Sequence, residues 1–298
     1  MGNSNHSLFL NSLKQNQVLI ADGATGSNLQ QRGLEKGEAS ESWVMQRPEK
    51  ILELHREFIR NGSDIILTCT FGASYIRLQQ HHLEDKFELI NREAVDLAKK
   101  AADARGTFIA GSIGPLGQLL EPLGTLSETE ALKLYAQQAK ILTESGVDLL
   151  LIETQFDLKE ASAAVEAARS VSSLPVVCSF SFDRGNRTMM GVKPEQFVQT
   201  IGAFGISMLG INCGRSLEEN LNVLKSVRAA TNLPIWFKPN AGLPSVDDQG
   251  NSIYSISPDD MGEQAKLWIE AGANVIGGCC GTSPAHLKAI ASNVKKVD

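Results

Sequence analysis

The chain of 298 residues is 42% hydrophobic and 21% charged, and its 28 basic against 34 acidic side chains leave a net charge of −6. That balance excludes wholesale disorder and argues against a nucleic-acid or anionic-membrane partner, since either selects a basic surface. No stretch approaches the roughly 18 to 20 uninterrupted apolar residues that span a bilayer.

Residues 1–16 hold one basic side chain, Lys14, and a short apolar cluster of Leu8, Phe9, Leu10 and Leu13. This is too short for a secretory signal and reads as an amphipathic leading turn ahead of a domain over 17–298. Without an export signal, the five cysteines are expected to remain thiols in a cytoplasmic protein.

From there one pattern repeats: a short apolar run, a turn with Gly or Ser, then a longer amphipathic segment. The apolar runs lie at 18–21, 64–68, 107–111, 147–153, 175–180, 207–212, 234–238 and 273–277. Continuous runs of this kind are what strands buried on both faces look like. Between them, residues 48–61 put Ile51, Leu54, His55, Phe58 and Ile59 on one stripe that stops at Gly62. Ser127 and Glu130 have capping-box spacing before a helix ending at Gly146, and Ser216, Ser257-Pro258 and Ser283-Pro284 open three more. The C-terminal stretch 294–298 reads as a solvated helix end. Eight strands alternating with helices over about 250 residues predict a single (β/α)8 barrel of the α/β class. An open doubly wound sheet is the competing topology, but the Gly-rich nucleotide fingerprint that would accompany it is absent.

Barrel active sites are built from strand C-terminal ends and the loops after them, here including the long loops 32–47 and 239–256. Cys213 follows strand six, while Cys279 and Cys280 follow strand eight in a Gly-rich turn. The two strands lie near each other on a closed rim, so the three sulfurs can converge. Soft thiolates suit a tetrahedral Zn²⁺, and three protein ligands leave a fourth position open, as in catalytic rather than structural sites. Buried core cysteines and a Cys279–Cys280 disulfide are the alternatives. Cys178 falls inside strand five and is expected in the core; Cys69 ends strand two on a different side. Coordination deprotonates a substrate thiol outright, so the chemistry such a centre suits is activation of a thiol nucleophile.

The segments Asp22-Gly23-Ala24-Thr25-Gly26-Ser27, Thr68-Cys69-Thr70-Phe71-Gly72-Ala73, Gly111-Ser112-Ile113-Gly114-Pro115 and Leu151-Ile152-Glu153-Thr154 resemble the homocysteine S-methyltransferase family. So do Asn212-Cys213-Gly214, Pro239-Asn240-Ala241-Gly242-Leu243-Pro244 and Gly277-Gly278-Cys279-Cys280-Gly281-Thr282. The likeness runs from about residue 17 to residue 295 and is greatest to the homocysteine-binding barrels of cobalamin-dependent methionine synthases. It implies one Zn²⁺ held by Cys213, Cys279 and Cys280, which are then the catalytic residues, with a homocysteine thiolate attacking an activated methyl group to give methionine. For the amino-acid end of that substrate, Glu153 is expected to accept from the ammonium. The backbone donors of Gly23 and Ala24 would hold the carboxylate, and Asp22 would orient that turn or share the ammonium. Asn240 resembles a family asparagine beside the metal that takes the open position when substrate is absent. Plain turn or ion-pair roles compete at Asp22, Glu153 and Asn240. The chain departs from the family's Thr-Asn-Thr-Phe in having Cys69, which alters the hydrogen bonding expected near the substrate.

Donors across the family include methylcobalamin, S-methylmethionine and betaine. None of the five histidines sits in the Asp-x-His-x-x-Gly pattern of a corrinoid module. Methylcobalamin is therefore the expected donor only if a separate corrinoid protein or domain carries it; an onium-type donor is the alternative. A non-catalytic zinc- or thiol-binding barrel and a phosphate-binding aldolase or isomerase barrel are the other classes to weigh. The last would need a catalytic lysine, and Lys238, the strand-end lysine, has no evident partner in the sequence. His81 and His82 read as solvated.

Overall fold

The computed structural model describes residues 5–15, 17–102, 106–247 and 252–295; the expected helix end at 296–298 and residues 1–4 and 16 of the leading segment lie outside them. In chain order the strands are β1 (Leu19–Ile20), β2 (Ile65–Leu67), β3 (Phe108–Ile113), β4 (Leu149–Gln155), β5 (Val176–Phe180), β6 (Met208–Cys213) and β7 (Ile235–Pro239), then a hairpin, β8 (Pro244–Val246) and β9 (Ser252–Tyr254), and finally β10 (Val275–Ile276). Each of the eight predicted runs holds one parallel strand. Their order in space, β1-β10-β7-β6-β5-β4-β3-β2, is closed by a bridge between Ala21 and Ile65. At this seam the Asp64 N–H donates to Ile20 O at 2.6 Å and the Asp64 carboxylate accepts from the Ile20 N–H at 2.9 Å. Lys295 reaches the same carboxylate at 2.6 Å. The result is the (β/α)8 barrel expected from the sequence.

Successive side chains of a strand face opposite ways, and the two sets build two cores. Leu19, Ile65, Leu67, Leu149, Met208 and Trp236 fill the barrel interior, whereas Ile20, Ile66, Ile109, Leu150 and Phe237 pack outward against the helices. Both faces are dry, which is why the strands read as unbroken apolar runs. The helices start where Ser predicts: Ser127, Ser216 and Ser257 each accept the N–H three residues on, at 3.2, 3.1 and 3.2 Å.

The leading segment differs from its expected form. Asn5–Lys14 is a helix of 10 residues, not a turn. Phe9 and Leu13, one helical turn apart, both enter the barrel-interior core, and the Phe9 ring meets Phe108 edge-on at 5.5 Å. Burial of that stripe closes the N-terminal end of the barrel and supplies helix stability that so short a segment lacks alone. Among the described residues no helix is long and apolar enough to cross a membrane.

Candidate active site

Following the inward parity of each strand toward its C-terminal end, the interior changes from apolar to polar. Two residues beyond Ala110 comes Ser112; beyond Leu151, Glu153; beyond Val177, Ser179; and beyond Trp236, Lys238. Asn212 ends the same way on β6, and all five side chains are buried. Ser112, Glu153 and Lys238 of this layer line a cavity of about 520 Å³ at the C-terminal face, bordered on one side by Cys213, Cys279 and Cys280. Residues 37–41 from the long first loop, with Cys69, Phe71, Gly72 and Arg77, supply another wall.

The three sulfurs converge as the strand positions predict, all within 4.8 Å of one another, with Cys213 Sγ 3.1 Å from Cys279 Sγ. All five cysteines are free thiols, and Cys280 is the most exposed of the three. Local backbone makes this possible. Cys213 adopts φ +61° and Gly214 φ +79°; a side chain at 214 would collide with Asn220, whose Nδ2 donates to Cys213 O at 2.8 Å. Asn240 ties the two cysteine loops together. Its Nδ2 donates to Gly214 O and its Oδ1 accepts the Cys280 N–H, both at 2.9 Å. That places Asn240 beside the cysteines, with both ends of its amide engaged by backbone. Hydrogen bonds from Cys213 and Cys279 hold the Cys280 thiol down to about 3, and donation to Cys279 pushes Cys213 well above the usual thiol range. Zn–S bonds of roughly 2.3 Å in a tetrahedron place sulfurs about 3.8 Å apart. Three clustered soft donors, one poised to ionise, fit that ion.

The charged floor is more elaborate than the sequence suggested. Lys238, expected to lack a partner, forms a fully buried ion pair with Asp22, Nζ to Oδ1 at 2.7 Å. The other Asp22 oxygen accepts the Leu67 N–H at 2.8 Å, so both oxygens of this carboxylate are engaged by protein. Burial disfavours the Lys238 charge, but Asp22 and Glu153 outweigh it and hold the ammonium above its ordinary value. Glu153 accepts from Ser112 Oγ at 2.5 Å. Burial, aided by Cys279 and Asp22 and opposed by Lys238, raises its carboxyl to about 7. Of the two backbone donors expected to hold a carboxylate, Ala24 already gives its N–H to Thr282, to the carbonyl and to Oγ1, each at 3.1 Å. Gly23 borders the cavity.

Asn212 and Thr154 stand in the strand-end motifs of the sequence, but their roles escaped the sequence reading. Asn212 Oδ1 accepts the Thr154 N–H at 3.0 Å and the Ser179 hydroxyl at 2.6 Å, while Nδ2 donates to Thr154 Oγ1 at 2.8 Å. The same Nδ2 faces Cys213 Sγ at 3.4 Å and Cys279 Sγ at 3.8 Å. Thr154 itself has φ +61°, a strained conformation for a β-branched residue. Strand parity could have flagged Asn212; nothing local flags Thr154. Cys178 is core, as expected, and Cys69 stands apart from the triad with its thiol 3.6 Å from Ser40 O. His81 and His82 are exposed, although His81 borders the cavity.

The homocysteine S-methyltransferase family model matches residues 19–294. Methionine synthase of Mycobacterium tuberculosis is 28% identical over 300 residues, covering 94% of this chain and 25% of the relative. That of Mycobacterium leprae is 29% identical over 299 residues, covering 94% and 24%. The chain thus spans about a quarter of the length of these relatives. Among solved structures, the metallated form of the homocysteine methyltransferase MmuM from Escherichia coli superposes with a TM-score of 0.80 at 25% identity, covering 94% of this chain and 98% of that one. With its barrel, its three convergent cysteines and a family match across nearly all its length, the chain belongs to the homocysteine S-methyltransferase family.

Proposed function

We propose that this chain methylates the thiol of homocysteine to give methionine, with Cys213, Cys279 and Cys280 as ligands of one Zn²⁺. The observation that carries this is the convergence of three sulfurs over a floor that holds Glu153 and Lys238 in one cavity. Zinc bound there would supply the acidity that keeps a substrate thiol ionised at neutral pH. The chain's own residues do the rest. Asn212 directs an N–H at two of the sulfurs, which favours their anionic form. Asn240 and Asn220 fix the backbone of the loops that carry them. Glu153 receives the substrate ammonium, and in pairing with it becomes fully ionised. In the transfer an S–CH₃ bond forms, the bond between methyl and donor breaks with its electron pair left on the donor, and the thiol proton departs to solvent.

For the donor, the likeness to methionine synthases supports a methyl-corrinoid carried by a separate protein or domain. A small onium donor is the second reading, favoured by the cavity wall that pairs Phe71 with Glu41, a carboxylate 6% exposed, because aromatic faces and carboxylates suit onium cations. Metal analysis of the purified chain tests the centre: about one zinc per chain, lost in Cys213→Ala, is expected. Metal-free protein with an intact fold would refute it. Product formation measured at equal enzyme with methylcobalamin, S-methylmethionine and betaine then decides between the donors.

A further inference from the structure

The loop after β7 returns to the barrel through the β8–β9 ribbon, in which Pro244 pairs with Tyr254, Ser245 with Ile253 and Val246 with Ser252. A two-stranded ribbon is marginal in water by itself and needs a surface to lean on. Its base is pinned. The Ile256 N–H donates to Ala241 O at 3.1 Å. His286, whose Nδ1 accepts the Ser283 N–H at 3.1 Å, directs its Nε2 proton to Ile256 O at 3.0 Å. Above the base, Val246 and Ile253 are exposed, whereas the half-buried Tyr254 touches the turn after β10. A side chain at Gly281 would collide with its ring, so the ring rests directly on the glycine backbone. Gly281 also has φ +82°, in the left-handed region that glycine enters freely. The described residues that border the cavity do not include Tyr254, and its ring therefore meets the cysteine turn from outside the pocket. Burial, and after it the sulfurs of Cys280, Cys279 and Cys213, push its hydroxyl up to about 12, which puts an uncharged phenol within electrostatic reach of all three.

We infer that Tyr254 is a positioning residue for the metal centre: by resting on Gly281 it holds Cys280, the most exposed of the three sulfurs, in its ligating place. The backbone of Cys280 is already fixed at two atoms, its N–H on Asn240 Oδ1 and its carbonyl on the Ala241 N–H, both at 2.9 Å. Beside it the Gly281 N–H reaches Ser27 Oγ at 3.2 Å. What these bonds leave unfixed is rotation about the glycine, the residue with the most backbone freedom in the turn. A site of three thiolates gives up its ion one ligand at a time, and the exposed sulfur is the one that water reaches and protonates first. Cys280 departs by swinging outward with its turn, and the Tyr254 ring occupies the space beside that turn. The ribbon thus governs how fast the ion is released, from a side of the centre separate from the cavity that takes the thiol substrate. This inference rests on the zinc centre proposed above.

Two measurements test it. Transfer of zinc from the loaded chain to an excess of chromogenic chelator gives the release rate. Alkylation of the zinc-free chain by iodoacetamide, read by peptide mass spectrometry, gives the accessibility of each cysteine. Tyr254→Ala should release zinc about 10- to 100-fold faster, the scale on which groups outside the ligand set act on a metal. It should also raise the alkylation rate of Cys280 severalfold while leaving that of Cys213 unchanged. Tyr254→Phe keeps the ring and should behave as wild type in both. Tyr254 stands on a surface ribbon, so the barrel should stay folded without it, and thermal melts establish that each variant is. A wild-type rate for Tyr254→Ala in either measurement would overturn the inference. Equal acceleration at Cys213 and Cys280 would overturn it too, by marking a general loosening of the rim. So would a Tyr254→Phe variant as fast as the alanine one, which would assign the effect to the hydroxyl. A wild-type chain that takes up no zinc refutes the metal centre instead, and the alkylation rates still decide whether Tyr254 holds Cys280.

Discussion

Replacing Asn212 with alanine removes a fully buried side chain and three hydrogen bonds, to the Thr154 N–H, Thr154 Oγ1 and the Ser179 hydroxyl. Each buried bond contributes about 0.5–1.5 kcal/mol, and partners left unsatisfied raise the cost toward the upper end. Thr154 does not add to this: the strain in its left-handed backbone, about 1–3 kcal/mol, is already carried by the wild-type fold. The expected loss is about 3–4 kcal/mol. With an unfolding entropy near 2.1 cal/mol/K per residue, a chain of this length should melt about 5–6 °C lower. The loss of an N–H directed at two sulfurs should also weaken zinc by about 10- to 100-fold, the usual effect of removing a ligand's supporting hydrogen bond. Scanning calorimetry and competition with a chromogenic chelator measure the two quantities separately. Introducing Thr154→Gly into the Asn212→Ala background should recover part of the stability, since glycine carries no penalty at that φ, but none of the zinc affinity. A melting temperature within 1 °C of wild type, or identical losses in both measurements after Thr154→Gly, would show that Asn212 is not the clamp described above.

Two further outcomes are expected. Because burial sets the Glu153 carboxyl at about 7, the neutral form dominates below that pH and cannot pair with an ammonium. The KM for homocysteine should therefore climb as pH falls through 7, by up to about tenfold per unit, and Glu153→Gln should give a high KM with no such limb. His55 lies in the core with neither ring nitrogen bonded, and burial lowers it to about 4. The unfolded chain takes up this proton near pH 6.5 and the folded chain only near 4, so stability falls as the solution is acidified. The loss between pH 7 and 4.5 is about 2–3 kcal/mol; urea midpoints should show it in wild type and not in His55→Leu.

Much of the architecture was legible because the physical signal is local. A strand buried on both faces needs an unbroken apolar run, and all eight were present; a helix start needs its first amides satisfied, and Ser127, Ser216 and Ser257 marked three of them. The cysteines could be placed from strand-end position alone. What remained hidden depended on parity or on distance along the chain. Lys238 and Asp22 are separated by 216 positions, and no periodicity couples them. Yet Lys238 lies two residues beyond inward-facing Trp236, and Asn212 and Glu153 stand at comparable inward positions; strand direction would have gathered these side chains into one layer. The helical state of residues 5–14 was illegible for another reason: Phe9 and Leu13 form a stripe too short to predict a helix until the open end of the barrel is there to receive it.

The division of the rim between the two halves of the chain has an implication for how such barrels change. Asn212, Asn220, Asn240 and the three cysteines, which grip or brace sulfur, are carried by β6, the helix after it, and the turns after β7 and β10, strands that are neighbours in the sheet. Glu153, which in the proposed function receives the other end of the thiol substrate, and its partner Ser112 come from β4 and β3. Two side chains cross the divide: Lys238 pairs with Asp22 after β1, and Asn212 bonds Thr154 on β4 and Ser179 on β5. A half-barrel graft exchanging residues 1–200 for those of a relative would transplant a different head-group receptor onto an unaltered metal centre. The residues at 238 and 212 would be coupling points to re-match across that suture.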